Sequence, residues 1–100
     1  MELLERMRID SVTLLDVGPP GGFAAGHLPC AVNITLAELE DRQTDVPFDR
    51  EVVAYCRGRY RMLSVDAVRV LQKQGYRARR LQEGLPEWRA AGLPVMQSGP

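Results

Sequence analysis

Blocks of apolar residues separated by polar, periodic stretches organise this chain. Val12–Val17 (VTLLDV) is almost continuously apolar, the pattern of a strand covered on both faces. Val52–Tyr55 (VVAY) repeats that pattern and is β-branched at its start. Shorter runs around Ala31–Ile34 and Tyr76–Leu81 predict two further strands, the second with the alternation of an edge strand. Leu63–Gln74 has helical spacing and stops at Gly75, where a C-terminal glycine cap belongs. Thr35-Leu36-Ala37-Glu38 has the form of a capping box and predicts a helix to about Arg42. Gly18–Gly26 (GPPGGFAAG) reads as a turn-rich loop. Glu2–Arg8 reads as the end of a helix, and Leu85–Ala91 as a last short helix stopped by Gly92 and Pro94. Strands separated by helical segments predict an α/β domain, with a parallel sheet and helices on both faces.

Composition narrows the class without changing that picture. One hundred residues suit a single small domain, residues 1–100, around one core. No apolar run approaches the roughly 18 residues of a membrane span, and the amino terminus MELLERMRIDS lacks the pattern of a signal peptide. Two cysteines are too few for a disulfide scaffold, and with the lone His27 they make no convincing zinc site. The expectation is a reducing, cytoplasmic setting, with no membrane and no metal or other cofactor.

Charge is balanced overall but divided along the chain. Residues 1–50 hold four Arg against nine acids, net −5, and residues 51–100 hold nine Arg or Lys against four acids, net +5. The basic half suits a small anionic ligand. No aromatic or lysine-rich face accompanies the arginines, so nucleic-acid binding by this domain is not expected.

The candidate chemistry lies in VVAYCRGRYRMLSVDAV, Val52–Val68. Cys56 stands at the carboxyl end of a predicted strand, the edge where open α/β sheets bind ligands. Arg57-Gly58-Arg59-Tyr60-Arg61 follows, and a helix is predicted to begin near Met62 to Ser64. If the loop curls around the sulfur, its backbone N–H groups and those of the first helical turn point at Cys56. The helix dipole and the arginines add to this, and together they favour thiolate over thiol. Gly58 gives the loop the freedom a tight turn needs. An isolated cysteine is usually a small buried hydrophobe; this setting favours a nucleophile. A phosphatase of the Cys-x5-Arg type would need Arg at residue 62, where Met62 stands; Arg61 is one place early and out of register for a bidentate clamp.

Four stretches closely resemble the rhodanese family of sulfurtransferase domains: TLLDV at Thr13–Val17, FAAGHLPCAVNI at Phe23–Ile34, VVAYCRG at Val52–Gly58, and GYRARRLQEGLPEWRAAGLPV at Gly75–Val95. They span nearly the whole chain in the family's order. The resemblance implies a three-layer fold, with a mainly parallel sheet of about five short strands and helices on both faces. It also implies a persulfide mechanism, in which Cys56 takes sulfane sulfur from thiosulfate or a similar anionic donor. The sulfur then passes to cyanide or a thiol. Arg57, Gly58, Arg59, Tyr60, Arg61 and Met62 would form the substrate loop, with Asp16 and His27 in support.

Departures from the family's pattern accompany the likeness. Gly18 stands where Arg is usual, Gly22 where an acid is usual, and Cys30 where Gly is usual. Losing the first two together fits the removal of an ion pair. Some relatives carry a second cysteine where this chain has Arg61, so a resolving thiol within the loop is absent and an external acceptor is expected. The loop also resembles that of rhodanese domains fused behind small winged-helix repressors, which puts a fused or partner protein among the expectations. His27 reads as a structural histidine bonding the loop backbone, Asp16 as a loop anchor, and Cys30 as a tolerated replacement for glycine. Trp88 and Tyr76 read as packing residues, and Arg77, Arg79 and Arg80 as a solvated strand and its flank. Against turnover stands a second reading, a rhodanese-like module that senses sulfide or oxidants through Cys56.

Overall fold

A computed structural model of the chain describes residues 11–42, 45–56, 61–81, 90, 92 and 95–97, with backbone alone at Arg61. Four strands, β1 (Val12–Asp16), β2 (Val32–Asn33), β3 (Glu51–Tyr55) and β4 (Ala78–Arg80), form one sheet in the order β2-β1-β3-β4. Every pairing is parallel, with β1 against β3 in register from Val12–Glu51 to Asp16–Tyr55. The α/β class and the parallel sheet agree with the apolar pattern. The expected count of about five strands is corrected to four among the described residues.

The central position of β1 and β3 explains their composition. Alternate residues point to opposite faces, and both faces are buried. Leu15, Val17, Val52, Ala54 and Cys56 belong to one apolar cluster with Ala67 and Leu71. Val12, Leu14, Val53 and Tyr55 belong to a second with Leu28, against which Ala31, Leu81 and Val95 pack. Leu15, Leu28, Val52, Val53 and Leu71 have essentially no exposed surface. At about 1.5–3 kcal/mol for each such side chain, burial on two faces is the main force holding the sheet.

Two helices are described, α1 (Pro20–Ala25) and α2 (Arg61–Lys73). The second covers the first face and ends as its sequence predicts. Gly75 adopts φ 91°, its N–H donates to Gln72 O, and the Tyr76 N–H donates to Leu71 O. That pair of bonds is the Schellman motif.

Three local expectations are corrected. GPPGGFAAG is not wholly loop, because Pro20–Ala25 forms a six-residue helix. Pro20 supplies the fixed φ suited to a first helical position, and this offsets the poor propensity of Gly21 and Gly22. The helix predicted from Thr35 shrinks to a three-residue 3-10 turn, Leu36–Glu38. There the Thr35 hydroxyl donates to Glu38 Oε1 at 2.6 Å and caps no backbone N–H. Finally, the last strand is confined to Ala78–Arg80. The helices expected at Glu2–Arg8 and Leu85–Ala91, and Trp88 with the latter, lie outside the described residues. None of the helices formed by the described residues is long and apolar enough to cross a membrane.

Candidate active site

β3 carries the chain from Glu51, at the amino edge of the sheet, to Tyr55 at its carboxyl edge, and Cys56 is the next residue. Five positions later α2 begins at Arg61. Cys56 is thus suspended between the end of a central strand and the start of the long helix. Its side chain is 6% exposed and belongs to the apolar cluster beneath α2. Arg57, Gly58, Arg59 and Tyr60, which the sequence assigns to the substrate loop, lie outside the described residues, as does the Arg61 side chain. Met62 sits in the first turn of α2 with 62% of its surface exposed.

The neighbouring strand end supplies a further wall. Asp16 ends β1 opposite Tyr55 in the register, so the two residues share one row of the sheet. After it the chain turns sharply: the Gly18 N–H donates to Asp16 Oδ1 at 2.9 Å. Asn33 at the end of β2 clamps this turn, its amide Nδ2 donating to Asp16 O at 2.9 Å and Gly18 O at 3.0 Å. A Cβ built on Gly18 would stand 4.0 Å from the Cys56 β-carbon and 3.2 Å from Asp16 Oδ1. The β1–α1 turn therefore abuts the cysteine directly.

Tyr55 fastens this wall from the other face. It is 1% exposed, and its hydroxyl accepts the Leu28 N–H at 3.0 Å. Burial holds its phenol protonated far above the usual range, and the charge and hydrogen bonding of Asp16 act in the same direction. The sequence pattern singles out neither Asn33 nor Tyr55. A two-residue strand hides the side-chain role of Asn33, and Tyr55 passes for one more apolar position in VVAY. The sequence does contain a signal for Asn33: a carboxamide closing a strand can bridge the carbonyls of the adjacent strand end.

His27 is held in a different setting. Its Nδ1 lies 2.7 Å from Phe23 O, and its ring stacks on Phe23 with centroids 3.9 Å apart. Its backbone pairs both ways with Met96, at 2.9 and 2.7 Å. Those contacts tie the end of α1 to a later segment of the chain.

Cys30 is exposed and adopts φ 64°, a conformation glycine takes more readily. Val32, Leu15 and Ala54 form one row across the sheet; Cys30 precedes that row by two residues and Cys56 follows it by two. Two interstrand spacings of about 4.8 Å alone exceed the roughly 7 Å that a disulfide spans between Cα atoms. Cys30 therefore lies at the other end of the sheet, beside a cleft of about 230 Å³ that Val32, Pro47 and Arg50 also line.

The geometry agrees with the relationships of the chain. Its residues 1–91 match the family described as Rhodanese-like domain. It is 35% identical over 88 residues to a sulfurtransferase of Allochromatium vinosum, covering 87% of this chain and 80% of that protein. It is 48% identical over 99 residues to an HTH-type transcriptional regulator of Mycobacterium tuberculosis, covering 99% of this chain but 44% of the regulator. The chain thus spans less than half of that longer relative. A rhodanese-related protein of Thermoplasma volcanium superposes with a TM-score of 0.79 at 28% identity, covering 94% of this chain and 90% of that one. With the family match, the sheet order and Cys56 at the end of β3 in agreement, the chain belongs to the rhodanese-like domain family.

Proposed function

We propose that the chain is a sulfurtransferase that carries sulfane sulfur on Cys56. One observation carries this reading most: a cysteine at the carboxyl edge of a central parallel strand, just before a helix, in a rhodanese-like chain. The relative named a sulfurtransferase supports it. The Cys56 thiolate attacks the outer sulfur of thiosulfate, the S–S bond of the donor breaks, and sulfite leaves. Cyanide or a thiolate then attacks the outer sulfur of the Cys56 persulfide, and Cys56 leaves as thiolate. Backbone N–H groups of the 57–60 loop and of the start of α2 stabilise the anionic sulfur in both steps. Arg57, Arg59 and Arg61 draw in the anionic donor. Asp16 and the turn it anchors keep the opposite wall in place. Two cysteines outside any disulfide, one of them the sulfur carrier, suit a reducing, cytoplasmic compartment.

Mass spectrometry after thiosulfate treatment, joined to a multiple-turnover assay with cyanide, tests the proposal. The expected result is an added mass of roughly 32 Da on Cys56 and steady turnover, both lost in Cys56→Ser. Full activity in Cys56→Ser would sink it. The similarity to a longer transcriptional regulator favours one alternative, a sulfur- or oxidant-sensing module attached to a DNA-binding partner. An adduct on Cys56 without turnover would favour that alternative.

A further inference from the structure

We infer that Gly18 sets the size of the acceptor, its missing side chain leaving the flank of Cys56 open to a thiol far larger than cyanide. The inference rests on Cys56 being the sulfur carrier and concerns which acceptor that site admits.

Gly18 is buried, and the reason for glycine there is steric rather than conformational, since its φ is not in the left-handed region. Its backbone makes two hydrogen bonds, its N–H donating to Asp16 Oδ1 and its carbonyl accepting from the Asn33 amide, which also holds Asp16 O. The turn therefore cannot swing aside to make room. Among the described residues, a Cβ at this position would meet only Asp16 Oδ1 at 3.2 Å and the Cys56 β-carbon at 4.0 Å. Asp16 Oδ1 could yield by the few tenths of an ångström an alanine needs. A larger side chain would extend its γ-atoms into the space an incoming sulfur must enter to reach Cys56. Because Cys56 is 6% exposed, a small loss of opening removes a large share of its access.

Transfer needs the acceptor sulfur in line with the S–S bond of the persulfide. The acceptor thiolate attacks the outer sulfur, the Cys56–sulfur bond breaks, Cys56 departs as thiolate and the acceptor leaves as its own persulfide. No oxidant or further reductant enters the balance. Cyanide is linear and narrow, so a wall at residue 18 obstructs it little. A peptide-sized thiol brings its whole chain past that wall.

The test uses the full chain with Cys30→Gly, a change suited to the φ of 64° at that position, so that Cys56 is the only thiol. Gly18→Ala and Gly18→Val are made in it. Rates of Cys56 alkylation are measured with iodoacetamide, a small reagent, and with a pyrene maleimide, a bulky one. Sulfur transfer from thiosulfate is then compared with cyanide and with glutathione as acceptors. Gly18→Val is expected to slow the maleimide and glutathione reactions by about tenfold or more, and the iodoacetamide and cyanide reactions by no more than about threefold. Gly18→Ala should fall between parent and valine. Equal slowing of large and small reagents, or no slowing of either, overturns the inference. If circular dichroism shows that the valine variant does not fold, the alanine variant decides by the same ratio. If the parent takes up no sulfur from thiosulfate, sulfur transfer fails as a function, while the alkylation ratio still judges the gate.

Discussion

At the scale of single residues, the site is a set of backbone positions held by a few buried polar groups. The Asn33 amide bridges two carbonyls beside Cys56, those of Asp16 and Gly18. Removing it takes a donor from both, although Asp16 O keeps the Ile34 N–H at 3.1 Å. Asn33→Ala is therefore expected to lower unfolding stability by about 1–3 kcal/mol in urea titrations. It should also slow persulfide formation from thiosulfate, because the turn beside Cys56 loosens. Unchanged kinetics in a folded Asn33→Ala protein would mean the turn does not shape the site. The position of Cys56 at a strand end was legible in the sequence, because a thiol between an apolar run and an arginine-rich stretch stands out chemically. Asn33 was not, because its importance lies in reaching a strand 15 or more residues earlier in the chain.

At the scale of elements, sequence patterns were clearest where one local rule acts alone. The end of α2 is such a case. Gly75 at φ 91° closes a Schellman motif, and any other residue there strains the backbone. Gly75→Ala should cost about 1–2 kcal/mol in thermal or chemical unfolding. The added Cβ meets the Phe48 ring at 3.5 Å, an ordinary contact, so the cost is conformational. Persulfide formation should be unchanged, since Gly75 lies at the opposite end of α2 from Cys56. A comparable loss of activity in Gly75→Ala would show that α2 transmits strain along its length. Where local rules conflict, the sequence misled. Pro20 favours a helix start while Gly21 and Gly22 oppose its continuation, and the observed helix survives with Phe23 stacked on His27. Thr35 and Glu38 have the spacing of a cap, yet they bond to each other, and Arg42 also engages Glu38 at 3.2 Å.

At the scale of the whole molecule, the described residues form a sheet sealed on both faces by apolar clusters. Tyr55 is the clearest probe of that seal. Burial, reinforced by Asp16, makes its phenol harder to ionise in the folded protein than in the unfolded chain, where the phenol titrates near pH 10. A folded-state pKa raised in this way stabilises the fold fully below about pH 10 and loses that contribution as pH rises further. Urea midpoints should accordingly hold steady up to about pH 9 and fall as pH rises from about 10 towards 12. Tyr55→Phe should lessen the drop without abolishing it, because burial raises the Tyr76 phenol as well. A steeper fall in the variant would contradict this account.

Local patterns along the chain were enough to define the α/β class, the two central strands, the glycine-capped helix and the cysteine at a strand end. Each of these follows from periodicity or from one residue's local chemistry, and none needs a distant partner. Only the tertiary structure decided that four strands pair among the described residues in the order β2-β1-β3-β4, because pairing depends on which edges meet. It also separated Cys30 from Cys56 across the sheet and set Gly18 against the cysteine's flank. Those relations join residues tens of positions apart, and packing of two buried faces, rather than any local pattern, brings them together.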